Sequence, residues 1–177
     1  MLLLDKRKCC SITGHRPEKF KFKVEEKSQR YFELMTKMEE CILQAMSAEK
    51  TTFCIGMSRG IDMWAGEIIV KLRENHKKIK LVGVIPYEKQ SDEWSIEDKK
   101  RYRQLIKQCN LVFVLGSDFH KNSYRERNQL LVNLSSLLLV VYDEKQKRSG
   151  TGMTITMAEK AGLDKMILDA VSFSVIK

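Results

Sequence analysis

Six short apolar runs rich in β-branched residues recur along the chain: Lys8 to Thr13, Thr51 to Ile55, Lys80 to Ile85, Leu111 to Leu115, Leu137 to Tyr142 and a brief Met166 to Leu168. Each is nearly continuous in its hydrophobicity, the pattern of strands buried on both faces. Helical patterns fill the gaps. In the clearest, Glu25 to Ala48, Tyr31, Leu34, Met35, Met38, Cys41, Ile42, Ala45 and Met46 share one stripe at i, i+3, i+4, i+7 spacing, so the methionines are core packing. Further helices are expected at 60–73, 96–108, 123–134 and 154–161. Strand alternating with helix means βαβ crossovers: the fold class is α/β, a Rossmann-like three-layer αβα sandwich with a mainly parallel sheet.

A chain of 177 residues fits a single domain spanning 1–177, with no linker, repeat or low-complexity tract. No apolar run approaches the roughly 20 residues of a membrane helix, and Leu2 to Leu4 is too brief for a signal peptide, so a cytoplasmic location away from membranes is expected. The five cysteines (9, 10, 41, 54 and 109) include no CxxC pair and read as small reduced core residues. The three histidines (15, 76 and 120) lack metal-ligand spacing, and no metal is expected. The net charge of +9 favours anionic partners, but its basic clusters (Lys6 to Lys8, Lys19 to Lys23, Lys77 to Lys80, Lys99 to Arg103, Lys145 to Arg148) are scattered and read as solvated surface.

In open α/β sheets ligands bind outside the carboxyl ends of the strands. Residues that make poor structural sense follow the strands here: TGHRP, GMSRGID, PYEKQSDEW, GSDFHKNSYRERN and YDEKQKRSGTGMT, while the return loops are plain SAEK, ENHKK and GLDK. In the first segment, Gly14 offers a place for ligand to approach backbone and Arg16 a phosphate contact. Pro17 fixes the chain's exit direction, and His15 either orients the turn or touches the ligand.

In the second, Gly56 and Gly60 bracket a strand-to-helix turn that would open backbone N–H groups to a ligand, with Arg59 as cation and Asp62 as acceptor for sugar or base. The alternative is that Gly60 is a turn residue, Arg59 is solvated and Asp62 complements the helix dipole. Gly66 permits close helix-to-sheet packing. In the fourth segment, ~100° per residue puts Tyr124, Arg127 and Asn128 on the inward side of a helix. A buried Arg127 needs a partner: Asp62, Asp143 or a ligand. In the fifth, Gly150, Gly152 and the Thr151 and Thr154 hydroxyls lead into a helix and suit phosphate or sugar, although the segment is neither a Walker A loop nor a GxGxxG fingerprint.

Taken in order, TGHRP, GMSRGIDMWAGE, IPYEKQSDEW, RERN and YDEKQKRSGTGMTITMAEKAG resemble the YpsA-like branch of the SLOG superfamily over most of the chain. That superfamily also contains DprA and the LOG phosphoribohydrolases. The resemblance implies a Rossmann-like sheet with a nucleotide-like ligand among Gly14, Arg16, Gly56, Arg59, Gly60, Asp62, Gly150, Thr151 and Gly152. The LOG enzymes carry PGGxGTxxE. Here Thr154 stands three residues beyond Thr151 and Glu159 lies further on, which counts against that hydrolysis.

Three readings follow. In the first, the protein binds a nucleotide-derived, ADP-ribose-like small molecule for sensing or signalling. Arg16, Arg59 and Arg127 would meet phosphate, Asp62 and Asp143 would read sugar hydroxyls, and Trp94 or Tyr87 would stack on a base or pack under the loop. The second is an N-glycosidic hydrolase or transferase with Asp62, Asp143 or Glu88 as acid/base. The third, single-stranded nucleic-acid binding as in DprA, is not favoured, because no organised basic surface can be read from scattered lysines. No cofactor is firmly implied, and homo-oligomerisation is left open.

Overall fold

The structure, a computed structural model, describes residues 4–20, 25–143 and 149–176. The basic cluster at 145–148, much of that at 19–23 and part of the fifth candidate loop lie outside them.

Seven strands form one sheet: β1 (Cys9–Gly14), β2 (Thr52–Ile55), β3 (Lys80–Ile85), β4 (Leu111–Val114), β5 (Leu137–Tyr142), β6 (Asp164–Asp169) and β7 (Val175–Ile176). Their spatial order is β4-β3-β2-β1-β5-β6-β7, parallel except for the antiparallel β6–β7 pair. Five helices connect them: α1 (Gln29–Ser47), α2 (Ile61–Leu72), α3 (Ile96–Gln108), α4 (Ser123–Leu134) and α5 (Gly150–Lys160).

Side-chain alternation sorts these helices into two layers. Cys10, Ile12, Phe53, Ile55, Leu81, Leu137, Leu139 and Val141 join Leu34 and Met38 of α1, Trp64 and Ile69 of α2, and Tyr102 and Leu105 of α3 in the main core. The opposite sheet face packs on α4 and α5, Leu138 and Val140 against Val132 and Ala158, and Cys54 and Val82 against Leu131. The three-layer α/β sandwich expected of the sequence is what forms. Gly66 of α2 sits where an added Cβ would lie 2.8 Å from Ile55 and Leu105, so close packing is its role.

Three boundaries differ from the pattern reading. Helix α1 starts at Gln29 because the Ser28 hydroxyl caps it, accepting from the Tyr31 N–H. The Gly-rich segment at 150–152 is the first turn of α5, not a loop before it, because Ser149 supplies the cap and accepts from the Gly152 N–H at 3.1 Å. The last strand runs six residues and ends in a turn held by Asp169 Oδ1, which accepts from the N–H groups of Val171 and Ser172; β7 follows, with exposed residues and no periodic signal. No described helix is long and apolar enough to cross a membrane.

Candidate functional site

From β1 the chain steps outward through β2, β3 and β4, then returns to the other side of β1 as β5 and continues to β6. The connections above β1 and β5 therefore leave in opposite directions, which opens a crevice at their carboxyl ends. A cavity of about 390 Å³ lies there. Its walls include Gly14, His15, Arg16, Asp62, Arg127, Asn128, Gly150 and Thr151 from the sequence reading, together with Thr13, Glu18, Lys19, Ser58, Tyr124 and Ser149.

Arg127, projecting inward from α4, answers the question its burial raised. Its Nη1 donates to Gly56 O at 2.6 Å, Ser58 Oγ at 3.1 Å and Asp62 Oδ2 at 3.1 Å, and Asp62 Oδ2 also accepts from the Ser58 N–H at 3.2 Å. Burial pushes the Asp62 carboxyl above its ordinary pKa, against the pull of Arg127, and pushes Arg127 below its own, against the pull of Asp62. The partner of Arg127 is thus a protein carboxylate.

The glycines of this region serve neighbouring chain. A Cβ on Gly56 would lie 1.8 Å from Arg127 Nη1, and one on Gly14 2.4 Å from Val141 O. Gly60 holds φ 81° and ψ −128°, a backbone that side chains rarely adopt, and its Cα faces Pro17, whose Cδ would be 2.7 Å from an added Cβ. Two of the first three N–H groups of α2 are also taken: Ile61 donates to His15 O at 3.5 Å and Met63 to Ser58 O at 3.2 Å. The turn expected to open backbone to a ligand instead locks the TGHRP segment onto α2, and Gly56 and Gly60 stand behind the cavity wall.

Helix α5 behaves differently. Gly150 and Thr151 of its first turn line the cavity, and that turn carries no acidic residue to offset the positive helix end. The Thr151 hydroxyl lies 3.3 Å from His15 Nδ1. Thr154 is withdrawn from any ligand, since it is fully buried and its hydroxyl donates to Gly150 O at 3.0 Å within the helix; Gly152, whose N–H is held by Ser149, also lies off the wall.

His15 is only 2% exposed, with Phe20 and Tyr142 at its ring edges. Burial lowers its pKa, the charge of Asp143 opposes that, and Lys19 adds to it, so the imidazole is neutral near pH 7. Among the described residues, three wholly buried polar atoms of cavity-lining side chains have no hydrogen-bond partner: His15 Nε2, Arg127 Nε and Asn128 Oδ1. Asp143 is buried behind the wall near His15.

Arg16 stands with its Cζ 5.0 Å from the Tyr124 ring centroid, and the Tyr124 hydroxyl meets that of Tyr87 at 3.1 Å. Burial raises the Tyr124 phenol, but the Tyr87 hydrogen bond and the Arg16 and Arg127 guanidiniums bring it below its usual range; burial and the same hydrogen bond push Tyr87 up to about 12. Tyr124 was legible one turn before Arg127 and Asn128 on the same helix side. Ser58 and Ser149 carried no distinguishing signal within glycine-rich turns.

The remaining candidates lie elsewhere. Arg59 turns outward to Glu18 at 3.1 Å and Asp98 at 3.8 Å, with Trp94 beneath it. Trp94 packs on Tyr102, Tyr87 packs between Phe119 and Tyr124, and Glu88 sits exposed on a short 3₁₀ turn; none of the three lines the cavity.

Comparison with known proteins places this architecture in a family. A UPF0398 protein of Halalkalibacterium halodurans is 28% identical over 113 residues, covering 63% of this chain and 60% of that protein. One of Brevibacillus brevis is 26% identical over 104 residues (58% and 55%), and one of Bacillus cereus is 23% identical over 134 residues (70% and 73%). The chain thus spans 60% and 55% of the length of the first two relatives. The family model named YpsA, described as the YspA SLOG family, matches residues 10–176, and the chain belongs to that family.

Proposed function

We propose that the cavity at the β1/β5 switch point binds a nucleotide or nucleotide-derived small molecule of the ADP-ribose type, and that the protein senses or signals through that binding. The observation that carries this reading is the convergence of the acid-free first turn of α5 with Arg16, Tyr124 and Asn128 on one cavity at the carboxyl edge of the sheet. A concave site with a few convergent polar groups and a positive helix end is shaped for a polar, anionic occupant. Phosphate would lie against the Gly150 and Thr151 N–H groups with Arg16 beside it. Asn128 and His15 would meet sugar or base.

Native mass spectrometry of the purified protein, followed by thermal-shift titration with AMP, NAD and ADP-ribose, tests this. Saturable stabilisation without turnover is expected. Absence of a shift with every nucleotide would overturn the reading.

One observation favours a second reading. Asp62 is a cavity carboxyl whose pKa is raised by burial, a property of general acids, which keeps an N-glycosidic hydrolase in play. Incubation with AMP and assay of free adenine separates the two, because binding alone releases no base.

A further inference from the structure

Helices α4 and α5 frame a second concavity, open to solvent. Positions 153, 156, 157 and 160 of α5 recur at i, i+3, i+4 and i+7 and so share one face of the helix, while Thr151, Thr154 and Ala158 form its buried face. On the first of these faces, Met153, Thr156, Met157 and Lys160 meet Lys121, just before α4, and Arg125, in its first turn, around a groove of about 470 Å³.

The groove combines an apolar patch with uncompensated positive charge. Met157 is half-buried and packs on the cluster of Ala158 and Leu163, and Met153 beside it is 44% exposed. Lys121, Arg125 and Lys160 are exposed and form no ion pair among the described residues. The carboxylates next to them in sequence are turned to other partners, Glu126 to His120 at 3.3 Å and Glu159 to Lys165. Among the described residues no carboxylate lines this groove, whereas Glu18 and Asp62 stand among the cations of the cavity at the sheet edge.

We infer that this groove docks an acidic amphipathic helix of another protein, with apolar side chains against Met153 and Met157 and carboxylates against Lys121, Arg125 and Lys160. A helix bound in a groove presents anchors at i, i+3, i+4 and i+7, and unbranched, polarizable methionines repack readily around them. Cations beside the apolar patch set the sign of the partner's charge. No aromatic side chain lines the groove among the described residues, so it lacks the stacking platform that holds single-stranded nucleic acid. A second copy paired groove to groove about a two-fold axis would set the same three cations against each other, which opposes association.

Both helices also serve the cavity: α4 gives it Tyr124, Arg127 and Asn128, and α5 gives it Gly150 and Thr151. A partner seated in the groove therefore touches the two elements that a cavity ligand would touch, although docking does not require that ligand.

The test uses the full chain, free of nucleotide and carrying isotope-labelled methionine methyl groups. The probe is a peptide of four Leu-Glu-Glu-Leu repeats, with a Leu-Lys-Lys-Leu peptide of equal length as control. Expected results are shifts of the Met153 and Met157 methyl resonances with the acidic peptide while buried Met38 and Met63 stay unmoved, and an affinity that falls with salt. Arg125→Glu/Lys160→Glu should lose roughly tenfold in affinity for the acidic peptide and gain affinity for the basic one. Both side chains are exposed and unpaired, so this variant folds, and the change of preference distinguishes docking from nonspecific adhesion. Failure of the acidic peptide to move the Met153 and Met157 methyls, or equal affinity for both peptides, would overturn the inference. So would a preference for a single-stranded oligonucleotide or for phosphatidylglycerol vesicles that the same reversal abolishes. A nucleotide titration without stabilisation would overturn the cavity reading alone, since the peptide test is run without nucleotide.

Discussion

Arg127 on α4 and Asp62 on α2 meet at 3.1 Å across the carboxyl end of the sheet, each less than a tenth exposed. The helices lie on opposite faces, so this ion pair clamps the two outer layers together beside the crevice at the carboxyl end of the sheet. Gly56 lets it form, because the guanidinium occupies the volume that a methyl group would need.

Breaking one side of the pair should be far worse than removing both. Asp62→Leu or Arg127→Met strands a buried partner and is expected to lower unfolding free energy by about 3–5 kcal/mol. The double variant Asp62→Leu/Arg127→Met removes both charges and should be less destabilised than either single one. Urea denaturation of the four proteins gives the cycle; additive losses would show that the groups do not act together.

Two glycines make opposite predictions from the same geometry. Gly56→Ala forces a Cβ to 1.8 Å from Arg127 Nη1 and should destabilise by about 1–3 kcal/mol, displacing the ion pair as well. Gly150→Ala, with nothing within 4 Å of the added Cβ and a helical position, should stabilise by roughly 0.5–1 kcal/mol. Thermal unfolding of both variants reads the sign directly.

How far the sequence revealed this site depends on what each residue type encodes. Continuous apolar runs announced the strands, because burial on both faces leaves no other pattern, and the inward side of α4 announced Arg127 and Asn128 through simple helical phase. The strand order was not legible, since nearly identical apolar strands carry no record of their neighbours. Glycines were the least informative residues. Gly56, Gly60 and Gly150 look alike in sequence, yet the first admits a guanidinium, the second adopts a positive φ against Pro17, and the third opens a helix. Arg59 and Arg127 likewise differ only in the partners that the fold supplies, one outward to Glu18 and one inward to Asp62. The start of α5 was misplaced because its glycines resemble a loop, while the single hydroxyl of Ser149 sets the helix running four residues earlier.

His15 should make stability fall on mild acidification. Its folded pKa is lowered from 6.5 chiefly by burial, so the unfolded chain binds a proton more readily. The stabilisation is therefore full above 6.5 and is lost as pH falls through the folded value. Urea midpoints between pH 7.5 and 5 should decline in the wild type with a slope of at most about 1.4 kcal/mol per pH unit from this group. His15→Gln should flatten that part of the profile, and an unchanged slope in the variant would place the titrating group elsewhere.

Ser149 and Arg16 separate the contributions of helix end and side chain to anion binding. Ser149→Ala removes the acceptor for the Gly152 N–H and should lower stability by about 1 kcal/mol, while leaving the Gly150 and Thr151 N–H groups at the cavity. Arg16→Met keeps an unbranched chain against Tyr124 but deletes the cation, so it should leave the unfolding midpoint nearly unchanged and weaken binding of a phosphate-bearing nucleotide by roughly tenfold. Isothermal titration with AMP and with adenosine distinguishes the two effects. If Arg16 meets phosphate, Arg16→Met penalises AMP alone and leaves adenosine as it was; an equal penalty on both would assign Arg16 to packing of the Tyr124 wall.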